Sequence, residues 1–207
     1  MPADLFAPDP AANLLPCDGI VNYHGPIMKA AEADRCFSRL LDDVPWRQDE
    51  LVMFGRRITT ARKVAWYGDS GFAYTYSGTT KEALPWTDEL LRLKSLVEEI
   101  SGGSFNSCLL NLYHTGGEGM AWHSDDESTL VPQAAIASVS LGAERPFAFK
   151  HKSRPELRVS IKLQHGSLLV MKGATQEQWL HSLPKSARVD RPRINLTFRS
   201  MLPQVKS

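Results

Sequence analysis

The stretch AWHSDDE, residues 121–127, sets one histidine ahead of three consecutive acids. Crowded acids repel one another, so the question is which of Asp125, Asp126 and Glu127 works with His123, and on what. In an extended chain alternate side chains face opposite ways, which groups His123, Asp125 and Glu127 on one face and Ser124 with Asp126 on the other. A His-x-Asp pair is weak evidence alone, because chance supplies one in roughly every three chains of this make-up. Two further segments add support. RPRINLTFRS, residues 191–200, alternates so that Arg193, Asn195, Thr197 and Arg199 share one face and Ile194, Leu196 and Phe198 the other. An amphipathic surface strand has the same pattern, yet two guanidinium forks and an amide in line also suit a dicarboxylate. Asn111 and Tyr113 repeat the arrangement in the run 105–114. A second imidazole, His181 in QWLHSLP, follows His123 by 58 residues. Two imidazoles and one carboxylate form the facial triad of non-haem Fe(II) oxygenases, which leaves positions open for cosubstrate and O₂. The same set holds Zn²⁺ for hydrolysis. The Arg/Asn strand favours iron, since a zinc hydrolase has no need of a dicarboxylate clamp.

The elements that must carry these residues are short strands. Beyond residue 104 the pattern predicts strands at 105–114, 121–126, 135–141, 146–151, 157–163, 167–171, 178–182 and 192–200, the spacing of a barrel or double-sheet jelly roll. Ahead of them, Pro26 and the apolar spacing of Ile27, Ala30, Phe37, Leu40, Leu41 and Val44 predict a helix closed by Pro45. Residues 51–80 read as β-structure, and 87–101 as a helix capped by Thr87 and ended by the SGG run. Residues 1–25, rich in Pro, Ala and Asp, read as a flexible N-terminal arm. The expected layout is that arm, then helices and a lid over 26–103, then a catalytic core over 104–202 in one compact domain.

A chain of 207 residues with 43% hydrophobic and 23% charged content suits one soluble domain with a sizeable core. The N-terminus lacks the basic and apolar regions of a signal peptide, and no apolar run approaches membrane-spanning length. Cys17, Cys36 and Cys108 are odd in number and form no C-x-x-C, so they read as reduced thiols. The net charge of +1 hides an uneven spread. Residues 1–50 hold nine acids and four bases, while 51–68 carry Arg56, Arg57, Arg62 and Lys63 with no acid. Residues 145–162 carry six bases against Glu156 alone. Such patches fit a phosphate backbone, although a solvated basic face is the plainer reading of either segment alone.

The segments NLY at 111–113, HSDDE at 123–127, HSLP at 181–184 and RINLTFR at 193–199, in that order, resemble the AlkB family of Fe(II)/2-oxoglutarate dioxygenases. The resemblance runs from about Leu14 to Arg199. FGRRITTARKVAWYGDSGFAYTYSG at 54–78 resembles the subgroup that repairs duplex DNA, the human AlkB homologue two type. It implies an α+β chain with a double-stranded β-helix (jelly-roll) core, N-terminal helices and a β-hairpin nucleotide-recognition lid. It also implies Fe(II), with 2-oxoglutarate and O₂ as cosubstrates. His123, Asp125 and His181 would bind the metal. Asn111, Tyr113, Arg193, Asn195 and Arg199 would bind 2-oxoglutarate, with Arg193 on its distal carboxylate. Tyr74, Tyr76 and Glu127 would line the base pocket, and Phe54 would tip a finger that fills the gap left by a flipped base. Asp126 would point away from the metal. Tyr76 departs from the subgroup's phenylalanine, which keeps the stacking and adds a hydroxyl. The loop HTGGEGM at 114–120 also departs from the family, and without G-K-[ST] it is no phosphate loop.

The implied activity is oxidative demethylation of 1-methyladenine- or 3-methylcytosine-type lesions in DNA, double-stranded by preference. The protein would act as a monomer with no membrane partner, in the cytoplasm of a bacterium or the nucleus of a eukaryote. The alternatives are the same chemistry on methylated RNA or protein, or a non-catalytic nucleic-acid-binding module. The intact triad and both arginines weigh against the last of these.

Overall fold

The computed structural model describes residues 9–53, 56–69, 72–76 and 79–203, with backbone alone at 49–53, 56–58, 73–76 and 79–81. The chain opens with β1 (Ile20–Pro26) and α1 (Ala30–Asp43), followed by β2 (Arg47–Met53), β3 (Arg56–Gly68), β4 (Ala73–Tyr76) and β5 (Thr79–Glu82). After α2 (Asp88–Ser101) come β6 (Ser107–Tyr113), β7 (Met120–His123), β8 (Ile136–Gly142), β9 (Arg145–His151), β10 (Arg158–Leu163) and β11 (Ser167–Lys172). The short helix α3 (Thr175–Gln178) leads into β12 (Trp179–Leu183), and β13 (Arg193–Arg199) closes the fold.

The strands form a seven-stranded sheet, β1-β11-β8-β13-β6-β3-β2, and a four-stranded sheet, β10-β9-β12-β7, while β4 and β5 pair separately. From β8 onward the chain crosses back and forth between the two larger sheets, as a jelly roll does. Three layers result. One core packs α1 and α2, through Cys36, Leu40, Leu90, Leu93 and Val97, against one face of the large sheet. The other lies between the sheets and includes Tyr113, Phe147, Phe149, Leu169, Trp179 and Leu183. Strand β13 is therefore covered on both sides. Ile194, Leu196 and Phe198 face the helices, and their burial contributes about 1.5–3 kcal/mol each. The alternate residues Arg193 and Asn195, also buried, face the other sheet. This is the arrangement that brings polar groups into the interior.

The capping signals of α2 hold: the Thr87 side chain accepts from the Leu90 N–H, and Gly102 takes the left-handed conformation at φ 67°. The first helix starts later than its apolar spacing suggests, because Pro26 ends β1, paired with Ser167, and the helix begins at Ala30. Residues 13–25, expected within a flexible arm over 1–25, are instead tied to the sheet. Residues 20–26 form an edge strand, Leu15 and Val21 are buried, and Asn13 Oδ1 accepts from the N–H groups of Leu15 and Val21. A composition rich in Pro and Ala does not reveal that one amide side chain ties such a turn to the sheet. Strand β7 ends at His123, so the face-sharing of His123, Asp125 and Glu127 expected from an extended chain does not apply past that point.

Candidate active site

The large sheet supplies a polar floor by register. Asn195 pairs with Asn111 on one side and Ser140 on the other; Arg193 pairs with Tyr113 and Gly142, and Thr197 with Leu109 and Ser138. Side chains in one row across neighbouring strands share a face, so these residues converge. Arg193 Nη2 donates to Ser140 Oγ at 2.9 Å and to Asn195 Oδ1 at 2.8 Å, and its guanidinium lies 5.6 Å from the Tyr113 ring centre. Ser138 Oγ also donates to Asn195 Oδ1, at 3.1 Å, and Asn195 Nδ2 to Thr197 Oγ1 at 2.9 Å.

The small sheet supplies the opposite wall. His181 and His123 are register partners across β12 and β7, with ring centres 4.2 Å apart. Asp125, just beyond β7, is buried, and its backbone N–H donates to Gln176 Oε1 at 2.9 Å. The Asp125 carboxylate is divided between two tasks. Oδ2 accepts from Arg199 Nη2 at 2.8 Å, whereas Oδ1 lies 3.8 Å from His123 Nε2 and 3.9 Å from His181 Nε2. One nitrogen from each ring and one carboxylate oxygen thus come within 4.8 Å of one another. His123 Nδ1 lies 2.8 Å from the Ala121 carbonyl, which fixes the Nδ1–H tautomer and leaves the Nε2 lone pair free.

The protonation states suit a cation between them. Burial pushes His181 down to about 4 despite Asp125 beside it, so the ring is neutral near neutral pH and offers a lone pair. Burial alone would raise the Asp125 carboxyl, but Arg199 and then the two imidazoles override it and hold the group below the usual carboxylate range. Arg199 is held above its ordinary value because Asp125 and then Glu127 outweigh its burial. Two imidazoles, one ionised carboxylate and an open side fit Fe(II).

Arg193 is the odd group. It is 1% exposed, and among the described residues no carboxylate pairs with it. Burial lowers it to about 10, with Arg145 adding to the effect. Near it, Asn111 Oδ1 and the Nε atoms of Arg193 and Arg199 are buried without hydrogen-bond partners among the described residues. A buried cation and unpaired polar atoms each cost free energy until an anion of matching shape arrives. A cleft lined by these groups with His123, Asp125 and His181 fits a dicarboxylate beside a metal.

A profile of the 2OG-Fe(II) oxygenase superfamily matches residues 19–199. The mouse protein named DNA oxidative demethylase ALKBH2 is 42% identical over 98% of this chain and 88% of its own length. The chain belongs to the AlkB family. A bovine relative, alkB homolog 3, is 45% identical over 83% of this chain, which spans 63% of that longer protein. The human ALKBH2 protein is 42% identical over 83% of this chain and 70% of its own length. The solved chain described as "The structure of OsALKBH1" covers 88% of this one, and this one 96% of it, at TM-score 0.59 and 14% identity, a likeness of fold. As a member of this family the chain is a dioxygenase that uses Fe(II), 2-oxoglutarate and O₂.

Of the residues singled out from sequence, the fold brings His123, Asp125, His181, Asn111, Tyr113, Arg193, Asn195 and Arg199 into one cleft. Glu127 is placed apart. It is exposed, lies 3.8 Å from Arg199 Nη1, and lines a neighbouring hollow that shares Asp125 and Arg199 with the cleft. Tyr74 and Tyr76 are on β4 with backbone alone described, and Phe54 falls outside the described residues. Asp126, expected to point away, is exposed and pairs with Lys152 at 3.5 Å.

The basic run 145–162 is less available to phosphate than its composition suggests. Arg145 is fully buried, and Lys152, Arg154 and Lys162 pair with Asp126, Asp18 and Glu144. Arg62 in the earlier run is buried as well. Carboxylates outside the run, Asp18 and Asp126 from distant segments and Glu144 next to it, pair with three of its bases. Sequence reasoning also passed over Ser138, Ser140 and Gln176. The serines alternate in IASVSLG and were findable by parity, whereas nothing local marks Gln176, which sits on a four-residue helix.

Among the described residues no helix is long and apolar enough to cross a membrane.

Proposed function

We propose that this chain removes N-alkyl groups of the 1-methyladenine and 3-methylcytosine type from DNA, by preference from duplex, acting as a monomer. The observation that carries the reading is the buried, uncompensated Arg193 beside the His123, Asp125 and His181 cluster, because one cleft then holds both a metal site and an anion site. Relatives named as DNA oxidative demethylases support the substrate. When bound, Fe(II) with 2-oxoglutarate and O₂ supplies an oxidant that hydroxylates an N-methyl carbon, with loss of succinate, CO₂ and finally formaldehyde.

The protein's own residues do the rest. His123, Asp125 and His181 would hold the metal, each through one ligand atom. Arg199 engages one Asp125 oxygen and so aims the other at the metal. Arg193, with Asn111, Tyr113 and Asn195 around it, neutralises and orients the distal carboxylate of 2-oxoglutarate. Apolar Met120, Phe147, Met171 and Leu183 line the same cleft and limit water around the reaction.

A stacked base cannot reach a buried metal, so the lesion must leave the helix, at a cost of a few kcal/mol that is least where pairing is already broken. The roles of Tyr74 and Tyr76 in stacking, Glu127 in receiving an exocyclic amine and Phe54 in filling the vacated space rest on the family resemblance. Stacking returns about 1–3 kcal/mol per base. The test is succinate release with methylated duplex DNA, single-stranded DNA, RNA and a methylated peptide. Stimulation by methylated duplex above the others supports the proposal. Stimulation by RNA or peptide alone, or by none, overturns it.

A further inference from the structure

We infer that Arg145 is a positioning residue that pins the register of the two histidine-bearing strands. Strand β7 has four residues, lies at the sheet edge and, among the described residues, pairs with β12 alone. Its ladder to β12 consists of two residue pairs, His181 with His123 and Leu183 with Met120, with an irregularity between them. A ladder so short specifies register weakly, and a slip of one residue turns every side chain to the other face. His123 would then leave the cleft. Something beyond strand pairing must hold the register.

Arg145 meets that need. It is fully buried, at the start of β9, where a chain-local reading makes it one more surface base. Its Nη2 donates to the carbonyl of Glu118 at 2.9 Å and to that of Pro184 at 2.7 Å, and its Nη1 to that of Thr115 at 3.3 Å. Glu118 is two residues ahead of β7, and Pro184 immediately follows β12. One rigid fork therefore ties the entry of one ligand strand to the exit of the other. The seam it closes is tight: a Cβ on Gly119 would stand 2.5 Å from the Leu183 carbonyl. Backbone bonds from Gly116 N–H to the Val189 carbonyl and from Ser186 N–H to the Gly116 carbonyl close the same seam further out. A planar guanidinium reaches several carbonyls at once, whereas an ammonium on a flexible stem cannot hold them in one geometry. This assigns the 114–120 loop, which no phosphate-binding pattern explains, a role in holding the metal site.

The inference rests on the reading of His123 and His181 as metal ligands, and the experiment separates the two. Fe(II) affinity is measured anaerobically by competition with a chromophoric chelator for wild type, Arg145→Lys, Gly119→Ala and His181→Ala, with folding checked by circular dichroism. The expected result is that Arg145→Lys binds Fe(II) at least about tenfold more weakly, as groups behind metal ligands do when changed. Its KM for 2-oxoglutarate at saturating Fe(II) should stay within about twofold of wild type, since lysine keeps the charge near Arg193. Gly119→Ala keeps the arginine and forces the seam apart, so it should weaken Fe(II) in the same direction, and it carries the test if Arg145→Lys does not fold. Wild-type Fe(II) affinity in the folded Arg145→Lys protein overturns the pin, as does a rise in the 2-oxoglutarate KM with Fe(II) affinity unchanged. If His181→Ala itself binds Fe(II) normally, the ligand reading fails instead.

Discussion

Replacing Arg193 by methionine separates binding from folding. The guanidinium is 1% exposed and no carboxylate among the described residues pairs with it, so the ligand-free protein carries a desolvated, uncompensated cation. Removing it relieves that burden but deletes the hydrogen bonds to Ser140 Oγ and Asn195 Oδ1, worth about 1 kcal/mol each. Asn195 Oδ1 keeps its bond from Ser138, so only Ser140 loses its side-chain partner. The opposing terms are of similar size, and the stability of the ligand-free variant should lie within about 1 kcal/mol of wild type. Binding should behave otherwise. A buried carboxylate deprived of its partner costs about 3–5 kcal/mol, which is a weakening of 2-oxoglutarate of about two to four orders of magnitude. The assay is thermal melting with Mn(II) in place of Fe(II), to prevent turnover, across a 2-oxoglutarate titration. Wild type should gain about 2.7 kcal/mol at a hundredfold excess over Kd, and Arg193→Met almost nothing at the same concentration. A variant that is stabilised by 2-oxoglutarate as wild type is, or one that unfolds without it, would refute the reasoning.

His123→Ala, Asp125→Ala and His181→Ala should each abolish succinate release while leaving circular dichroism unchanged, since three ligands leave no spare; demethylation above about a tenth of wild type with iron bound would remove that residue from the set. Phe54→Ala should slow repair of a duplex lesion about tenfold, roughly 1.4 kcal/mol, and repair of the same lesion in a single strand far less, as compared by single-turnover rates. Burial, then Glu89 beside it, pushes the Cys36 thiol from 9.0 up to about 12. A group raised in the folded state stabilises below its unfolded value and loses that contribution as pH rises, so denaturant melts should show stability falling between about pH 9 and 12, with a shallower fall in Cys36→Ala. Thr87→Ala should cost about 1 kcal/mol in urea unfolding, because the Leu90 N–H loses its acceptor.

What the sequence determined by itself is local. Alternation along 193–199 is a property of any extended chain, so the division of Arg193 and Asn195 from Ile194, Leu196 and Phe198 was legible before any fold was known. The caps of α2 are equally local, since Thr87 and Gly102 act on neighbours within a turn. The ordered motifs from Asn111 to Arg199 also sufficed to indicate the family. Tertiary structure decided whatever depends on a distant partner. Parity grouped Asp125 with Glu127, yet the strand ends at His123, and the bond Asp125 accepts from Arg199 and the one its N–H donates to Gln176 turn it inward while Glu127 stays exposed. Arg145, Lys152, Arg154 and Lys162 read alike as basic residues, but the first is buried against backbone carbonyls, Lys152 and Arg154 meet Asp126 and Asp18 from other segments, and Lys162 meets Glu144 across the β9–β10 hairpin. Whether a charge is free, paired or buried depends on what the chain brings opposite it, and that is set by contacts between residues far apart in sequence. For the same reason His123 and His181, 58 residues apart, share a site only once β7 and β12 pair.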